Sequence, residues 1–204
     1  MELETDAIMC SLLSHGEHGA IVRMLTPDHG LVAAYVRGGR GRRMRPVLIP
    51  GNMVSTRLRY RTESQLPQAT IELAHSRAPI LGEPLPSAAI EWLTALVASA
   101  LPERQPYPRI HQAMAGLLDA VEAAPSAVGW ASALAQFERL LVAELGYGPG
   151  NYAPGDIRDA DWGRVLSALE HSGRPIFQDV LSGRTQSLED SRGRLIDRLR
   201  RITS

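Results

Sequence analysis

The feature that most constrains the fold of this 204-residue chain is a change in hydrophobic period near residue 80. Residues 5–75 contain short apolar stretches separated by turn signals, and apolar and polar residues alternate strictly over 53–61. After residue 86 the apolar residues recur with helical spacing, and the intervening segment contains Pro79, Pro84 and Pro86. We therefore predict an α+β, multi-domain protein, with a β domain over 1–78 and an all-α helical domain over 79–204.

The first 78 residues are expected to form a small barrel. Thr26-Pro-Asp-His-Gly30 is a strong turn signal, because proline pre-sets the first turn dihedral and Gly30 tolerates a positive φ. The apolar stretches 20–25 and 31–37 on either side of this turn should pair as a hairpin. About five short strands, with no helix-length pattern among them, predict a small closed barrel of OB or SH3 type, and we favour the OB fold.

The second domain is predicted to be a bundle of helices. Its apolar residues recur at positions i, i+3, i+4 and i+7. Pro102 should stop the first helix, Gly146 should cap the third in a left-handed conformation, and Gly173 should end the fourth. The predicted helices cover residues 87–101, 110–121, 125–145, 162–172 and 188–202.

The charge distribution predicts different partners for the two domains. The chain has no net charge, and all 22 of its basic residues are arginine. Residues 29–62 contain eight arginines and no acidic residue, whereas residues 79–183 contain twelve acidic residues against six arginines. Solvated faces usually mix both signs, so this asymmetry favours a polyanion as the partner of the first domain.

The basic stretch supplies the candidate nucleic-acid contacts. Residues 38–46 should form a flexible basic loop, and the alternation over 53–61 should place three arginines on one face of a strand with Tyr60 on the core side. Tyr35 shares a face with Arg37 and could stack on a base, but aromatic residues are scarce, which predicts mainly electrostatic binding. The candidate DNA-binding residues are Tyr35, Arg37, Arg40, Arg42, Arg43, Arg45, Arg57, Arg59 and Arg61.

No motif in the chain predicts catalysis. A Walker loop requires a lysine, which the chain lacks, and no Gly-x-Ser-x-Gly elbow is present. The glycines of residues 146–150 follow a predicted helix rather than a strand, so they do not fit a dinucleotide-binding fingerprint. His15, His18 and His29 have only Cys10 as a possible thiol partner. The sequence thus predicts no enzyme activity, no cofactor and no metal.

The remaining features favour a cytoplasmic protein. Residues 1–6 carry acidic side chains where a secretory signal would carry basic ones, and no apolar run approaches about 20 residues. The lone Cys10 cannot form an internal disulfide. No membrane partner is therefore expected.

In the order and spacing of its motifs, the chain resembles the RecO family of recombination mediators. The motifs of the first domain are Gly16-Glu17, the apolar strand 21–25, the turn Leu25-Thr-Pro-Asp-His-Gly30, and Arg37-Gly38 before the basic loop. In the second domain, residues 137–149 (Phe-Glu-Arg-Leu-Leu-Val-Ala-Glu-Leu-Gly-Tyr-Gly-Pro) are similar to a segment of that family. The resemblance covers most of the chain.

The resemblance implies a bacterial, nucleoid-associated protein without catalytic activity. It implies an OB fold that binds single- and double-stranded DNA, and a helical domain that meets partners. Such proteins anneal complementary strands, bind the acidic C-terminal tail of single-strand binding protein, and act with RecR to help load RecA. Arg37 and the basic loop are the implied DNA contacts. The candidate partner-binding residues are Leu134, Phe137, Arg139, Leu141, Arg194 and Arg198.

Two departures from the family pattern limit what is carried over. Many relatives have a four-cysteine zinc site after Gly-Tyr-Gly-Pro, where this chain has Asn151-Tyr-Ala-Pro154, so no metal is expected there. Relatives often continue past the last helix into a Tyr-Leu-Gly segment and a basic tail, whereas this chain stops at Ser204, so contacts of that tail are not carried over. The alternative function is a basic OB-fold adaptor that binds RNA or protein partners rather than DNA.

Overall fold

The structure, a computed structural model, describes residues 2–62, 65–124, 126–147, 161–181 and 186–203. Five strands close into a barrel in the order β1-β2-β3-β5-β4, and this arrangement confirms the predicted OB-type barrel and the α+β class. All pairings are antiparallel except that of β3 with β5, which meet in parallel at Tyr35 and Gln68. The strands are β1 (Glu2–His15), β2 (Gly19–Thr26), β3 (Gly30–Val36), β4 (Met53–Arg59) and β5 (Gln68–His75).

Strand β1 is long enough to pair on both of its sides. It pairs with β4 over residues 2–8 and with β2 over residues 8–15, and the second pairing shifts register between Met9 and Ser11. A bulge of this kind bends a strand and increases its twist, which lets β1 close the barrel. In β4, Val54, Thr56 and Leu58 are buried and the residues between them are exposed, as the alternation predicts.

The turn between β2 and β3 forms as predicted. Gly30 has a φ of 67°, and the Thr26 hydroxyl donates to the Gly30 carbonyl (2.9 Å) and accepts from the His29 amide (3.1 Å). A Cβ atom at Gly30 would lie 1.9 Å from the Gln105 carbonyl oxygen. Only glycine meets both requirements, the positive φ and the close approach of backbone.

The helices of the structure are α1 (Pro84–Ala100), α2 (Pro108–Ala123), α3 (Ala131–Glu144), α4 (Trp162–Pro175) and α5 (Gln186–Arg200). Helix α1 begins three residues before Ser87, the predicted start of the first helix. The Ser87 amide already donates to the Glu83 carbonyl (3.0 Å). Gly146 has a φ of 84° after α3, as predicted for a C-terminal cap. No described helix is long and apolar enough to cross a membrane.

The prediction that Gly173 ends the fourth helix is wrong. Helix α4 continues to Pro175 and runs into a single π-helical turn, Ile176–Val180. Gly173 is buried, and a Cβ atom there would lie 2.4 Å from Nη1 of Arg192. The glycine therefore makes room for a neighbouring side chain inside the helical region instead of terminating a helix.

The chain divides into two compact units whose bounds differ from the predicted domains 1–78 and 79–204. The barrel unit comprises residues 1–82 and 94–111, and the helical unit comprises residues 83–93 and 112–204. The core of the barrel unit includes Met9, Met24 and Leu58, and that of the helical unit includes Trp92 and Trp130. The sequence pattern missed residues 94–111 as part of the barrel unit because they are helical or irregular.

Candidate nucleic-acid interface

The predicted loop 38–46, together with the preceding Arg37, is called the basic loop (residues 37–46), and it contains a series of hydrogen-bonded turns. The Gly41 amide donates to the Gly38 carbonyl (2.9 Å), and the Met44 and Arg45 amides both donate to the Gly41 carbonyl (3.0 and 3.2 Å). Gly38 has a φ of 68°, which starts this series of turns. The backbone of the loop thus has a defined path between β3 and β4.

All five arginines of the basic loop are exposed: Arg37, Arg40, Arg42, Arg43 and Arg45. Among the described residues, none of them forms a salt bridge with a carboxylate. Guanidinium groups that face water without a counter-charge are available to bind the oxygen atoms of a phosphate in paired geometry.

Arg40 also joins the basic loop to the turn between β1 and β2. Its Nη1 donates to the carbonyls of Gly16 (3.3 Å) and Glu17 (3.2 Å), and its backbone amide donates to the His18 carbonyl (3.2 Å). Arg40 is therefore partly a structural residue, whereas Arg42, Arg43 and Arg45 have no such contact among the described residues.

The arginines of β4 lie on the outer face, as predicted, but acidic residues of the neighbouring strand pair with them. The register of β1 and β4 places Glu4 opposite Arg57 and Glu2 opposite Arg59. Arg57 Nε bonds to Glu4 and lies 3.4 Å from Glu2 Oε1, and Arg59 Nη2 lies 3.6 Å from the same oxygen. The hydrogen bond to Glu4 raises the pKa of Arg57.

These pairs correct the interpretation of the basic stretch as a surface free of acid. Residues 29–62 contain no acidic residue in sequence, yet sheet pairing brings Glu2 and Glu4 beside their arginines. The carboxylates would repel phosphate at this face, so Arg57 and Arg59 are weaker candidates than the basic loop. Arg61 is exposed just beyond the end of β4.

The two tyrosines of the barrel take different positions. Tyr35 is half-buried and lies over Gly19, where a Cβ atom would be 2.5 Å from its Cε2, and its ring meets the His15 ring edge to face at 5.9 Å. Part of Tyr35 is therefore already covered by the barrel. Tyr60 packs against the barrel core, as predicted, with the Arg104 guanidinium 5.5 Å from its ring centroid.

The apolar residues predicted to bind a partner are core residues. Leu134, Phe137 and Leu141 are 1%, 2% and 0% exposed. The apolar stripe of α3 packs into the helical unit, because a helix buries the face on which its apolar residues recur. The interpretation of these three side chains as a docking surface is therefore wrong.

The basic residues predicted to bind a partner have contacts of their own. Arg194 pairs with Glu91 (2.8 Å), and Arg198 donates to the Pro84 carbonyl. Arg139 is half-buried, and its Nε has no hydrogen-bond partner among the described residues. Arg192, on the same helix as Arg194 and Arg198, is only 8% exposed.

Arg192 belongs to a buried polar cluster that sequence reasoning missed. Its Nε and Nη2 donate to the two carboxylate oxygens of Glu138 (3.0 and 2.8 Å). Glu138 is fully buried and also accepts from Trp92 Nε1 (2.8 Å) and from the Ser172 hydroxyl. The sequence feature that could have indicated this cluster is the position of Glu138 next to Phe137, on the buried side of α3.

No group of three or more His, Cys, Asp or Glu side chains is arranged to hold a metal ion within the described ranges. The predicted departure from the zinc pattern, Asn151 to Pro154, lies outside those ranges and stays a prediction. Cys10 is buried, and burial raises its pKa to about 12. The raised pKa keeps the thiol protonated at physiological pH.

A closed five-stranded barrel with an exposed arginine loop, followed in the chain by helices, defines a class of OB-fold proteins with a helical C-terminal part. The comparison with known families identifies the member of this class. Residues 1–77 match the family described as Recombination protein O N terminal, and residues 84–150 match Recombination protein O C terminal. The chain belongs to the RecO family.

Individual relatives of the chain are DNA repair proteins named RecO. The chain is 39% identical over 148 residues to the DNA repair protein RecO of Paracoccus denitrificans. The aligned region covers 72% of this chain and 60% of that protein. It is 40% identical over 164 residues to the DNA repair protein RecO of Rhodospirillum centenum, which covers 79% of this chain and 64% of that protein. The chain thus spans less than two thirds of the length of these relatives.

Proposed function

We propose that this chain is a non-catalytic mediator of recombinational DNA repair that binds single- and double-stranded DNA through its barrel unit. Its membership of the RecO family and the names of its relatives support a role in DNA repair. The observation that carries the proposal is the basic loop, with five exposed arginines and no carboxylate partner among the described residues. Each phosphate that an arginine neutralises releases condensed counterions, so binding is driven by charge.

Annealing of complementary strands follows from the same surface. Two nucleic-acid strands repel each other through their phosphates, and a surface that neutralises phosphates on both lowers this repulsion. Because Tyr35 is partly covered and aromatic residues are few, base stacking contributes little, and the interaction has little sequence preference. The protein works on DNA at the bacterial nucleoid, in the cytoplasm.

The helical unit is proposed to meet protein partners. These are the acidic C-terminal tail of single-strand binding protein and RecR, which together would direct the protein to coated strands and help load RecA. Arg139, Arg194 and Arg198 remain the candidate contacts for an acidic tail, since opposite charge favours encounter and register. Leu134, Phe137 and Leu141 support this role only by packing the unit.

The test compares two sets of arginines of one barrel. The first variant changes Arg42, Arg43 and Arg45 to Ala, and the matched control changes Arg57 and Arg59 to Ala, which already face carboxylates. Binding to labelled single-stranded DNA is titrated at several salt concentrations between about 50 and about 200 mM, and annealing of complementary oligonucleotides is timed. The loop variant should lose about two units of salt slope, at about 0.7 per phosphate contact, and should anneal more slowly.

The control variant should keep most of its affinity and its slope. A loop variant that binds and anneals like the unaltered protein contradicts the proposed role of the basic loop. A protein that binds RNA of the same length much more tightly than DNA supports the adaptor alternative instead. Binding of the acidic tail peptide is measured separately, with Arg139→Ala as the variant expected to weaken it.

A further inference from the structure

A buried carboxamide fastens the end of the basic loop to the barrel. Asn52 is fully buried between the loop and β4. Its Nδ2 donates to the carbonyls of Pro46 (2.9 Å) and Val47 (3.1 Å), and its Oδ1 accepts from the backbone amide of Arg77 (2.9 Å). Both donor hydrogens and the acceptor oxygen of this side chain therefore have backbone partners, as a buried amide requires.

The backbone around Asn52 is also hydrogen-bonded to neighbouring segments. The Asn52 carbonyl accepts from the Met9 amide (2.9 Å), and the Gly51 amide donates to the Met9 carbonyl (2.8 Å). The guanidinium of Arg77, itself 1% exposed, donates to the Gly51 carbonyl (2.7 Å). Asn52 thus links β1, the segment after β5 and the end of the basic loop through hydrogen bonds.

The hydrogen bonds of Asn52, together with those of Arg40, attach the backbone of the basic loop on both sides of Arg42 and Arg43. Arg45 immediately precedes Pro46, whose carbonyl Asn52 holds, and Arg40 fastens the other part of the loop to the carbonyls of Gly16 and Glu17. Arg42 and Arg43 lie between these two attachments. A backbone that is already ordered does not have to lose that conformational freedom when phosphate binds, so affinity gains by pre-organisation.

We propose that Asn52 is a positioning residue for phosphate binding by the basic loop, and that it acts without touching the nucleic acid. The inference rests on the proposed DNA-binding function and deepens it. Other residues do not reproduce the role of asparagine. Aspartate has no hydrogen to donate to the Pro46 and Val47 carbonyls, and alanine leaves both carbonyls and the Arg77 amide without their partner.

The experiment uses the full chain with Asn52→Ala and, as matched control, Thr26→Ala. Thr26 is also a fully buried polar residue of the barrel that bonds to backbone, but it lies in the β2–β3 turn, away from the loop. Titration with a single-stranded oligonucleotide should show affinity reduced about three- to tenfold in Asn52→Ala, with a nearly unchanged salt slope, because the same phosphates are neutralised once bound. Thr26→Ala should bind like the unaltered protein.

A second readout addresses the loop directly. The Leu48 amide, which donates to the Met44 carbonyl (2.9 Å), should exchange its hydrogen faster in Asn52→Ala than in Thr26→Ala. If Asn52→Ala does not fold, Asn52→Ser is used, whose hydroxyl keeps one donor. A folded Asn52 variant with unaltered affinity, or a control that loses as much affinity, overturns the inference.

The two proposals fail in distinguishable ways. Should the variant with Arg42, Arg43 and Arg45 changed to Ala bind DNA normally, the proposed function itself is contradicted. Should that variant lose affinity and salt slope while Asn52→Ala loses neither, the basic loop binds DNA without the hydrogen bonds of Asn52, and only the positioning role is wrong.

Discussion

In the barrel unit the arginines of residues 37–61 all lie on the surface, whereas the helical unit places Arg192 in its interior against Glu138. The barrel unit does bury Arg77, whose guanidinium donates to a backbone carbonyl of Gly51. In the helical unit the buried guanidinium instead meets a buried carboxylate, with indole and hydroxyl groups around it. Each unit thus has exposed arginines and a buried one, but the buried guanidinium meets a carboxylate only in the helical unit among the described residues.

The difference shows that local sequence charge does not determine the role of an arginine. Exposed arginines lose little hydration on folding and remain able to exchange water for phosphate. A buried arginine has lost its hydration, and its folded position depends on every hydrogen bond that replaces it. We expect substitutions in the first set to change binding and substitutions in the second set to change stability.

The largest expected effect is that of Glu138→Ala. This change leaves the guanidinium of Arg192 buried without its carboxylate and removes the acceptor of Trp92 Nε1. The loss of unfolding free energy should be about 3–5 kcal/mol, the range for breaking a buried pair from one side. Urea unfolding followed by tryptophan fluorescence and circular dichroism measures it.

The matched control is Glu91→Ala, because Glu91 pairs with Arg194 at the same 2.8 Å but both side chains are about half exposed. Its expected cost is at most about 1 kcal/mol. Equal losses in the two variants would contradict the distinction between the two classes of pair. The double variant Glu138→Leu with Arg192→Met should recover much of the loss, since apolar groups of similar volume need no counter-charge.

A smaller effect is expected for Gly173→Ala. The added Cβ would lie 2.4 Å from Arg192 Nη1, and the guanidinium cannot withdraw without giving up Glu138. Overpacking of this kind costs about 1–3 kcal/mol, which exceeds the gain of about 1 kcal/mol from replacing glycine inside a helix. In the Glu138→Leu, Arg192→Met background the substitution should become neutral or stabilising, and a cost that persists there would show that Arg192 is not the obstacle.

The sequence predicts the features that depend on local pattern. Strand alternation places Val54 and Leu58 inside the barrel, and the turn chemistry of Gly30 and the cap at Gly146 depend on a backbone conformation that glycine favours. Each of these depends on residues close in sequence. The family resemblance predicts the order of the barrel and the helices in the same way.

The sequence-based predictions that failed depend on contacts between residues distant in sequence. Glu4 and Arg57 are 53 residues apart, and Arg192 and Glu138 are 54 apart, so no local pattern could pair them. The apolar stripe of α3 has the same period whether it packs inside a unit or awaits a partner, which explains the wrong interpretation of Phe137. Asn52 was missed because a lone asparagine before a strand is usually a turn residue.

The smallest expected effect concerns the barrel unit, where burial of the Cys10 thiol outweighs the attraction of the Arg23 charge for the thiolate. Burial, the largest influence on it, raises its pKa from an ordinary value of 9.0 to about 12, so the folded barrel keeps the thiol neutral. Between pH 9 and 12 the unfolded chain releases this proton and the folded barrel does not, so the free energy of unfolding falls as pH rises, by about 1 kcal/mol at pH 10.

Comparing the pH dependence of urea unfolding of the unaltered protein with that of Cys10→Ala isolates this contribution, because other titrating groups are common to both. The variant should lose less stability between pH 8 and pH 10, by about 1 kcal/mol. Parallel curves would mean that the thiol ionises as readily inside the barrel as outside it, and that burial does not hold this group neutral.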